Sequence, residues 1–77
     1  MDMKELRQKA GLRAEEVAAH IGVAHSSIRN WEQGRTIPKL RVDQIGSLLK
    51  LYNCSFDDLE KAVNQSIDNY RKATAVL

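Results

Sequence analysis

The chain has 77 residues, 12 basic and 10 acidic, so it forms at most one domain, and its formal net charge of +2 does not by itself indicate a nucleic-acid partner. A single Cys54 excludes an internal disulfide and fits a reducing cytoplasm. No apolar run has the length of a membrane span or the character of a signal peptide, so we expect a cytoplasmic protein without membrane contact.

The first helix is predicted over about residues 2–10. Its apolar residues recur at three- and four-residue steps: Met3, Leu6 and Ala10. Asp2 is a suitable N-cap, and Gly11 can end the helix in the left-handed conformation.

The second and third helices are predicted over about 13–21 and 25–33. Two short helices joined by a few residues that include a glycine are typical of a helix-turn-helix. The fold needs a small inner residue where the helices cross, a turn residue that tolerates positive φ, and bulky inner residues on the third helix. The residues that meet these needs are Ala18, Gly22, Ile28 and Trp31. The alternative is an unrelated helical hairpin with a glycine turn.

A loop over about 33–38 contains Pro38, and a fourth helix is predicted from residue 39 or 40 to 51. Its inward residues are Val42, Ile45, Leu48 and Leu49. Ser55 and Asp58 form a capping-box pattern that starts a fifth helix. An apolar stripe then continues through Phe56, Leu59, Val63, Ile67, Tyr70, Ala73 and Leu77. With no strand signal, the chain is predicted to be all-α, one domain over 1–77 with a core of about 2–60 and a helical extension of about 61–77.

The middle of the chain is locally basic. Residues 25–41 contain four basic side chains, Arg29, Arg35, Lys39 and Arg41, against one acid, Glu32. A basic middle with a near-neutral tail fits a phosphate-facing surface and an interaction tail. Glu32 is out of place on such a surface, so we expect it to pair locally with a basic side chain or a backbone N–H.

Residues 6–59 resemble the XRE family of Cro/cI-type repressors. The elements that carry the resemblance are Gly11-Leu12, the EEVA before Gly22-Val23, the SIRNWEQGRTIP block and the closing CSFDDL. The resemblance implies a five-helix Cro/cI-repressor-like domain that binds a pseudo-palindromic operator in double-stranded DNA as a homodimer. A bacterial or phage-encoded transcriptional regulator, in most cases a repressor, is the function it implies.

Carried over by position, the third helix supplies the base readers, which are His25, Ser26, Arg29 and Asn30. Asn pairs with adenine and Arg with guanine through two hydrogen bonds, while Ser and His adapt to several bases. The loop residues Gln33, Arg35, Thr36 and Lys39 are expected on the DNA backbone, where contacts position the protein without specifying sequence. The family usually has Ser or Thr at position 13 and Gln at position 14. Here Ala14 cannot make the usual DNA contact, and Arg13 is expected to reach a phosphate instead.

The apolar stripe beyond residue 60 predicts an interface, because so many apolar groups are unfavourable in water. It either folds back on its own domain or forms a homodimer through Val63, Ile67 and Tyr70. A dimer would read two half-sites about one helical turn apart.

No catalytic constellation, metal site or cofactor is indicated, since His20, His25 and Cys54 lack partners at ligand spacing. Two other functions stay open. One is an antitoxin or restriction-system controller that also binds a second protein. The other is a protein–protein module that uses the C-terminal helix.

Overall fold

The computed structural model describes residues 1–75 and contains five helices in chain order: α1 (Met3–Lys9), α2 (Ala14–Ile21), α3 (His25–Glu32), α4 (Val42–Tyr52) and α5 (Phe56–Ala75). No strand is present in residues 1–75, so the predicted all-α, five-helix architecture is confirmed. None of these five helices is long and apolar enough to span a membrane. Leu77, the last residue of the predicted stripe, lies outside the described residues.

Local hydrogen bonds explain where the first and last helices begin. The Glu5 N–H donates to Asp2 Oδ1 at 2.9 Å, and the Asp2 N–H donates to Glu5 Oε1 at 3.0 Å. Ser55 and Asp58 make the same reciprocal pair at 3.0 and 3.2 Å. Both predicted caps are therefore confirmed, and they satisfy backbone N–H groups that the first turn of a helix leaves unpaired.

All five helices contribute residues to the core. Its buried apolar residues are Met3, Leu6, Ala14, Val17, Ala18, Ile21, Ile28, Trp31, Leu48, Tyr52, Leu59 and Ala62. Gly22 ends α2 at φ +75°, and the Gly22 and Val23 N–H groups both donate to the Ala18 carbonyl, at 2.9 and 3.0 Å. The turn between α2 and α3 is thus tight, and it holds two of the core-lining helices together.

The fourth helix starts two to three residues later than predicted. Gln44 Oε1 accepts the Arg41 N–H at 2.9 Å, which makes Arg41 the N-cap and Val42 the first helical residue. Val42 is therefore 87% exposed and not inward as predicted, whereas Leu48 is buried. Phe56, the first residue of the predicted stripe, stands at the equivalent first position of α5, is 56% exposed and lies outside the core.

The fifth helix packs along its own domain through a line of small and apolar residues. Leu59, Ala62 and Ser66 are the buried residues of α5. Ser66 Oγ accepts the backbone N–H of Met3 at 3.0 Å, which joins the middle of α5 to the start of α1. Ala62 and Ser66 were missing from the predicted stripe, because they are a small and a polar residue.

Leu59 belongs to both the predicted stripe and the buried line of α5, and the rest of the predicted stripe lies beside that line. Val63 and Ile67 are half-buried, Tyr70 is 39% exposed and Ala73 is exposed. This flank is partly covered by the chain's own domain and partly open.

Gly34 is the point at which α5 meets the end of α3. It adopts φ +75°, and a Cβ there would lie 2.1 Å from the Ser66 carbonyl oxygen and 2.6 Å from the Ser66 carbonyl carbon. Gly22 has the same φ of +75°, but a Cβ there would meet no other part of the chain within 4 Å. The two glycines thus share a backbone conformation, and only Gly34 also needs the space that a side chain would take.

We predict that Gly34→Ala lowers the free energy of unfolding more than Gly22→Ala. Each alanine carries the left-handed cost of about 1–2 kcal/mol, and overpacking against the α5 backbone adds about 1–3 kcal/mol at Gly34 only. Urea unfolding of the two variants measures the difference. Equal losses would show that α5 does not pack closely on Gly34.

Candidate nucleic-acid interface

The orientation of α3 is set by its two large buried side chains. Ile28 is 1% exposed and Trp31 is 6% exposed. Because an α-helix turns about 100° per residue, Ser26 and Gln33 lie on the side opposite these two anchors. Both are exposed, as is Arg29 beside them. A polar face of α3 is therefore held outward by apolar contacts on the other face.

The four predicted base readers occupy this outward side and its edges. Ser26 and Arg29 are exposed, and Asn30 is half-buried at one edge. His25 lies at the other edge, where its Nε2 is 3.8 Å from Glu15 Oε2 at the start of α2. The structure thus brings all four side chains to one helix of eight residues, with Asn30 the least accessible of them.

The loop after α3 leaves the helix through a glycine turn. The Gly34 N–H donates to the Trp31 carbonyl at 3.1 Å, and the Arg35 N–H donates to the Asn30 carbonyl at 3.0 Å. This pattern satisfies the last carbonyls of the helix and needs a left-handed residue, which Gly34 supplies. The predicted backbone-contacting residues of this segment are all exposed, and they are Gln33, Arg35, Thr36 and Lys39.

A largely buried ion pair joins the C-terminal end of α3 to α1. Arg7 Nε donates to Glu32 Oε2 at 2.6 Å and Arg7 Nη2 to Glu32 Oε1 at 3.1 Å, while Arg7 Nη1 donates to the Leu12 carbonyl at 2.9 Å. The two side chains are only 13% and 8% exposed. The hydrogen bond to Glu32 raises the pKa of Arg7 above its ordinary value. Nearby, burial raises the pKa of Tyr52.

Glu32 therefore pairs with a basic side chain, as expected, although the partner is 25 residues away and not local. Arg7 was not singled out from the sequence. The available signal was the acid itself, because a carboxylate that is removed from water is stabilised only with a cation or hydrogen-bond donors close by.

Ion pairs divide the basic side chains of the region into two groups. Arg13 lies 3.5 Å from both Glu15 and Glu16, and Arg41 lies 3.2 Å from Asp43. Within residues 1–75, no ion pair involves Arg29, Arg35 or Lys39. The unneutralised positive charge of the middle of the chain is therefore on α3 and the loop that follows it.

The two helices that meet at this surface start without a capping side chain, as α4 does at Arg41. Arg13 and Ala24, the N-cap residues of α2 and α3, make no side-chain capping hydrogen bond, although Glu16 Oε1 accepts the Arg13 N–H at 2.9 Å. Ala24 supplies no side-chain acceptor for the first N–H groups of α3, and the Ser27 N–H donates to the Ala24 carbonyl at 3.0 Å. Uncapped N–H groups at a helix start can bind phosphate oxygens.

No group of three or more His, Cys, Asp and Glu side chains in the described part of the chain is arranged to hold a metal ion. Cys54 is a free, half-buried cysteine, and burial raises the pKa of its thiol.

Comparison with known families gives one result that bears on this surface. A family model described as a helix-turn-helix domain matches residues 2–62, which include all of α1 to α4 and the first part of α5. No curated protein and no solved structure shows significant similarity to the chain.

Proposed function

We propose, because the chain belongs to the XRE-like class of helix-turn-helix domains, that it is a sequence-specific transcriptional repressor that inserts α3 into the major groove of double-stranded DNA. The observation that carries this proposal is the exposed polar face of α3, held outward by Ile28 and Trp31. A major groove about 12 Å wide admits one α-helix. A cytoplasmic protein of bacterial or phage origin is the setting we propose.

Base reading is assigned to the outward side of α3. Arg29 carries an unpaired guanidinium suited to guanine, and the Asn30 amide is suited to adenine. Ser26 and His25 lie on the first turn, where a hydroxyl and an imidazole can bond to several bases. Each good bidentate contact discriminates between bases by about 1–3 kcal/mol.

Backbone contact is assigned to the residues around α3. Arg35 and Lys39 offer unpaired cations, and Gln33 and Thr36 offer neutral donors to phosphate oxygens. Arg13 is exposed and lies in ion pairs with Glu15 and Glu16. Because exposed pairs of this kind are worth little, Arg13 can exchange them for a phosphate.

The other two functions use the same surfaces differently. A protein–protein module that binds its partner through α5 could use only part of that helix. The side with Leu59, Ala62 and Ser66 is buried against the chain's own domain. An antitoxin or controller that binds a second protein keeps the DNA surface and needs a further apolar one. The structure contains such a surface beside Ile37 and Phe56, which are 63% and 56% exposed.

We predict that Arg29→Ala and Asn30→Ala weaken binding to an operator, obtained by selection from randomised duplexes, by about 1–3 kcal/mol each. Binding to a random duplex should fall much less. Arg35→Ala and Lys39→Ala should weaken binding to both duplexes and make the salt dependence shallower by about one unit per lost phosphate contact.

Fluorescence anisotropy at several salt concentrations measures both effects, and the far-ultraviolet circular dichroism of each variant confirms its helices. Equal losses on operator and random duplex for Arg29→Ala and Asn30→Ala would remove them from the base readers. An unchanged salt slope for Arg35→Ala and Lys39→Ala would remove those two from the backbone contacts.

The homodimer is proposed on the open flank of α5. A groove with a mainly apolar lining runs between the loop before α4, α4 itself and the first half of α5, and Ile37, Phe56 and Val63 line it. Ile67 and Tyr70 extend the same flank along α5. A second copy on this surface would cover the most exposed large apolar residues near α5 and present two copies of α3 to a pseudo-palindromic operator.

We predict that Phe56→Glu converts a dimer into a monomer, because it places a charge within the apolar groove of the proposed interface. Val42→Glu is the matched control, since Val42 is 87% exposed and is not among the residues lining the groove. Phe56 and Val42 each stand at the first position of a helix and are exposed, and far-ultraviolet circular dichroism of both variants checks that the fold is kept. Sedimentation at tens of micromolar should show wild type and Val42→Glu as dimers. A monomeric wild type, or a dimeric Phe56→Glu, would contradict this interface.

A further inference from the structure

A second basic feature lies beside the recognition helix, in the cleft between α1 and α3. Lys4 lines this cleft together with Arg13, His25, Arg29 and Gln33, and the Arg7–Glu32 pair is also part of it. Lys4 precedes Arg7 by three residues, so the two side chains leave the same side of α1. An exposed lysine of the first helix thus shares a cleft with two base readers of α3, His25 and Arg29, and with Gln33 just after the helix.

The charges of the cleft do not balance. Arg7 and Glu32 neutralise each other, and Glu15 lies 3.5 Å from Arg13 and 3.8 Å from His25. Lys4 and Arg29 make no ion pair with any other described residue. Two unpaired cations from different helices therefore line one open cleft. The two positive charges repel each other, and a bound anion would remove that repulsion.

The chemistry of the Lys4 side chain fits a phosphate group, while Arg29 beside it remains assigned to a base edge. Lysine is a point charge on a flexible four-carbon stem and binds phosphate without a fixed geometry. The cleft also adjoins α3, the element proposed to enter the groove, and duplex DNA presents phosphates along both edges of its major groove. When α3 lies in the major groove, the anions nearest to the cleft are therefore phosphates of the DNA backbone.

We infer that Lys4 is a DNA-binding residue that contacts a backbone phosphate on the α1 side of the recognition helix. The inference rests on the proposed function. The loop with Arg35 and Lys39 follows the C-terminal end of α3, whereas Lys4 lies along its side, so the two groups hold the helix to the backbone at separate places. Contacts of this kind fix the depth and angle of the helix and carry no base preference.

Lys9 provides a matched control within the same helix. Like Lys4, it is exposed and makes no ion pair within residues 1–75. It lines a different cleft, formed by the end of α1 with Leu51 of α4 and Lys61 of α5. Lys4→Gln and Lys9→Gln therefore make the same change in net charge on one helix, and only the first lies beside α3.

The test is the salt dependence of binding to the selected operator and to a random duplex, by fluorescence anisotropy with the full chain. Lys4→Gln should reduce the slope of log affinity against log salt by about 0.9, so that between 50 and 200 mM salt it loses about 3.5-fold less affinity than wild type. Lys9→Gln should keep the wild-type slope. The ratio of operator to random affinity should be the same for all three proteins.

The possible outcomes distinguish the assignment of Lys4 from the proposed function. If wild type binds DNA and Lys4→Gln has the slope of Lys9→Gln, the assignment of Lys4 is wrong and the proposed function stands. A Lys4→Gln variant that loses the preference for the operator would show base contact and overturn the phosphate assignment. A wild type that binds neither duplex would overturn the proposed function together with this inference.

Discussion

The buried pair of Arg7 and Glu32 is the contact on which the presentation of α3 depends. Its three hydrogen bonds connect α1, the turn carbonyl of Leu12 and the last residue of α3. Helices much shorter than about 12–15 residues are marginal in water, and α3 has eight residues, so its position comes from tertiary contacts. Ile28 and Trp31 hold its inner face, and Glu32 anchors its end. Because removing one partner strands a buried charge, the pair strongly favours a single position for the helix.

A second constraint on the chain is at Gly34, two residues after Glu32. Gly34 lies against the backbone of Ser66, and the hydroxyl of Ser66 accepts the backbone N–H of Met3. The start of the basic loop is thus placed between α3 and α5, and α5 is tied to the first helical residue of the chain. The extended fifth helix consequently supports the proposed DNA surface from the side of the core. The flank of α5 with Phe56, Val63, Ile67 and Tyr70 remains for the proposed partner copy.

The sequence was informative where local chemistry decides the structure. The caps at Asp2 and Ser55 and the five helices follow from short-range patterns, and the structure confirms them. The predicted start of α4 was wrong because Arg41 is an unusual N-cap residue. Its N–H is accepted by the side chain of Gln44, and only this hydrogen bond identifies it as the cap. The buried line of α5 was misplaced because apolar periodicity marks one face, whereas close packing against Gly34 and Met3 selected small residues. The Arg7 partner of Glu32 and the place of Lys4 depend on contacts between distant segments, which periodicity does not encode.

A double-mutant cycle on the buried pair tests the central claim most directly. The free energies of unfolding in urea would be compared for wild type, Arg7→Met, Glu32→Leu and the double variant. If the pair holds α3 in place, each single change costs about 3–5 kcal/mol, and the double variant, which buries no stranded charge, recovers most of that loss. Single losses below about 1 kcal/mol, as for an exposed pair, or losses that simply add in the double variant, would contradict the account.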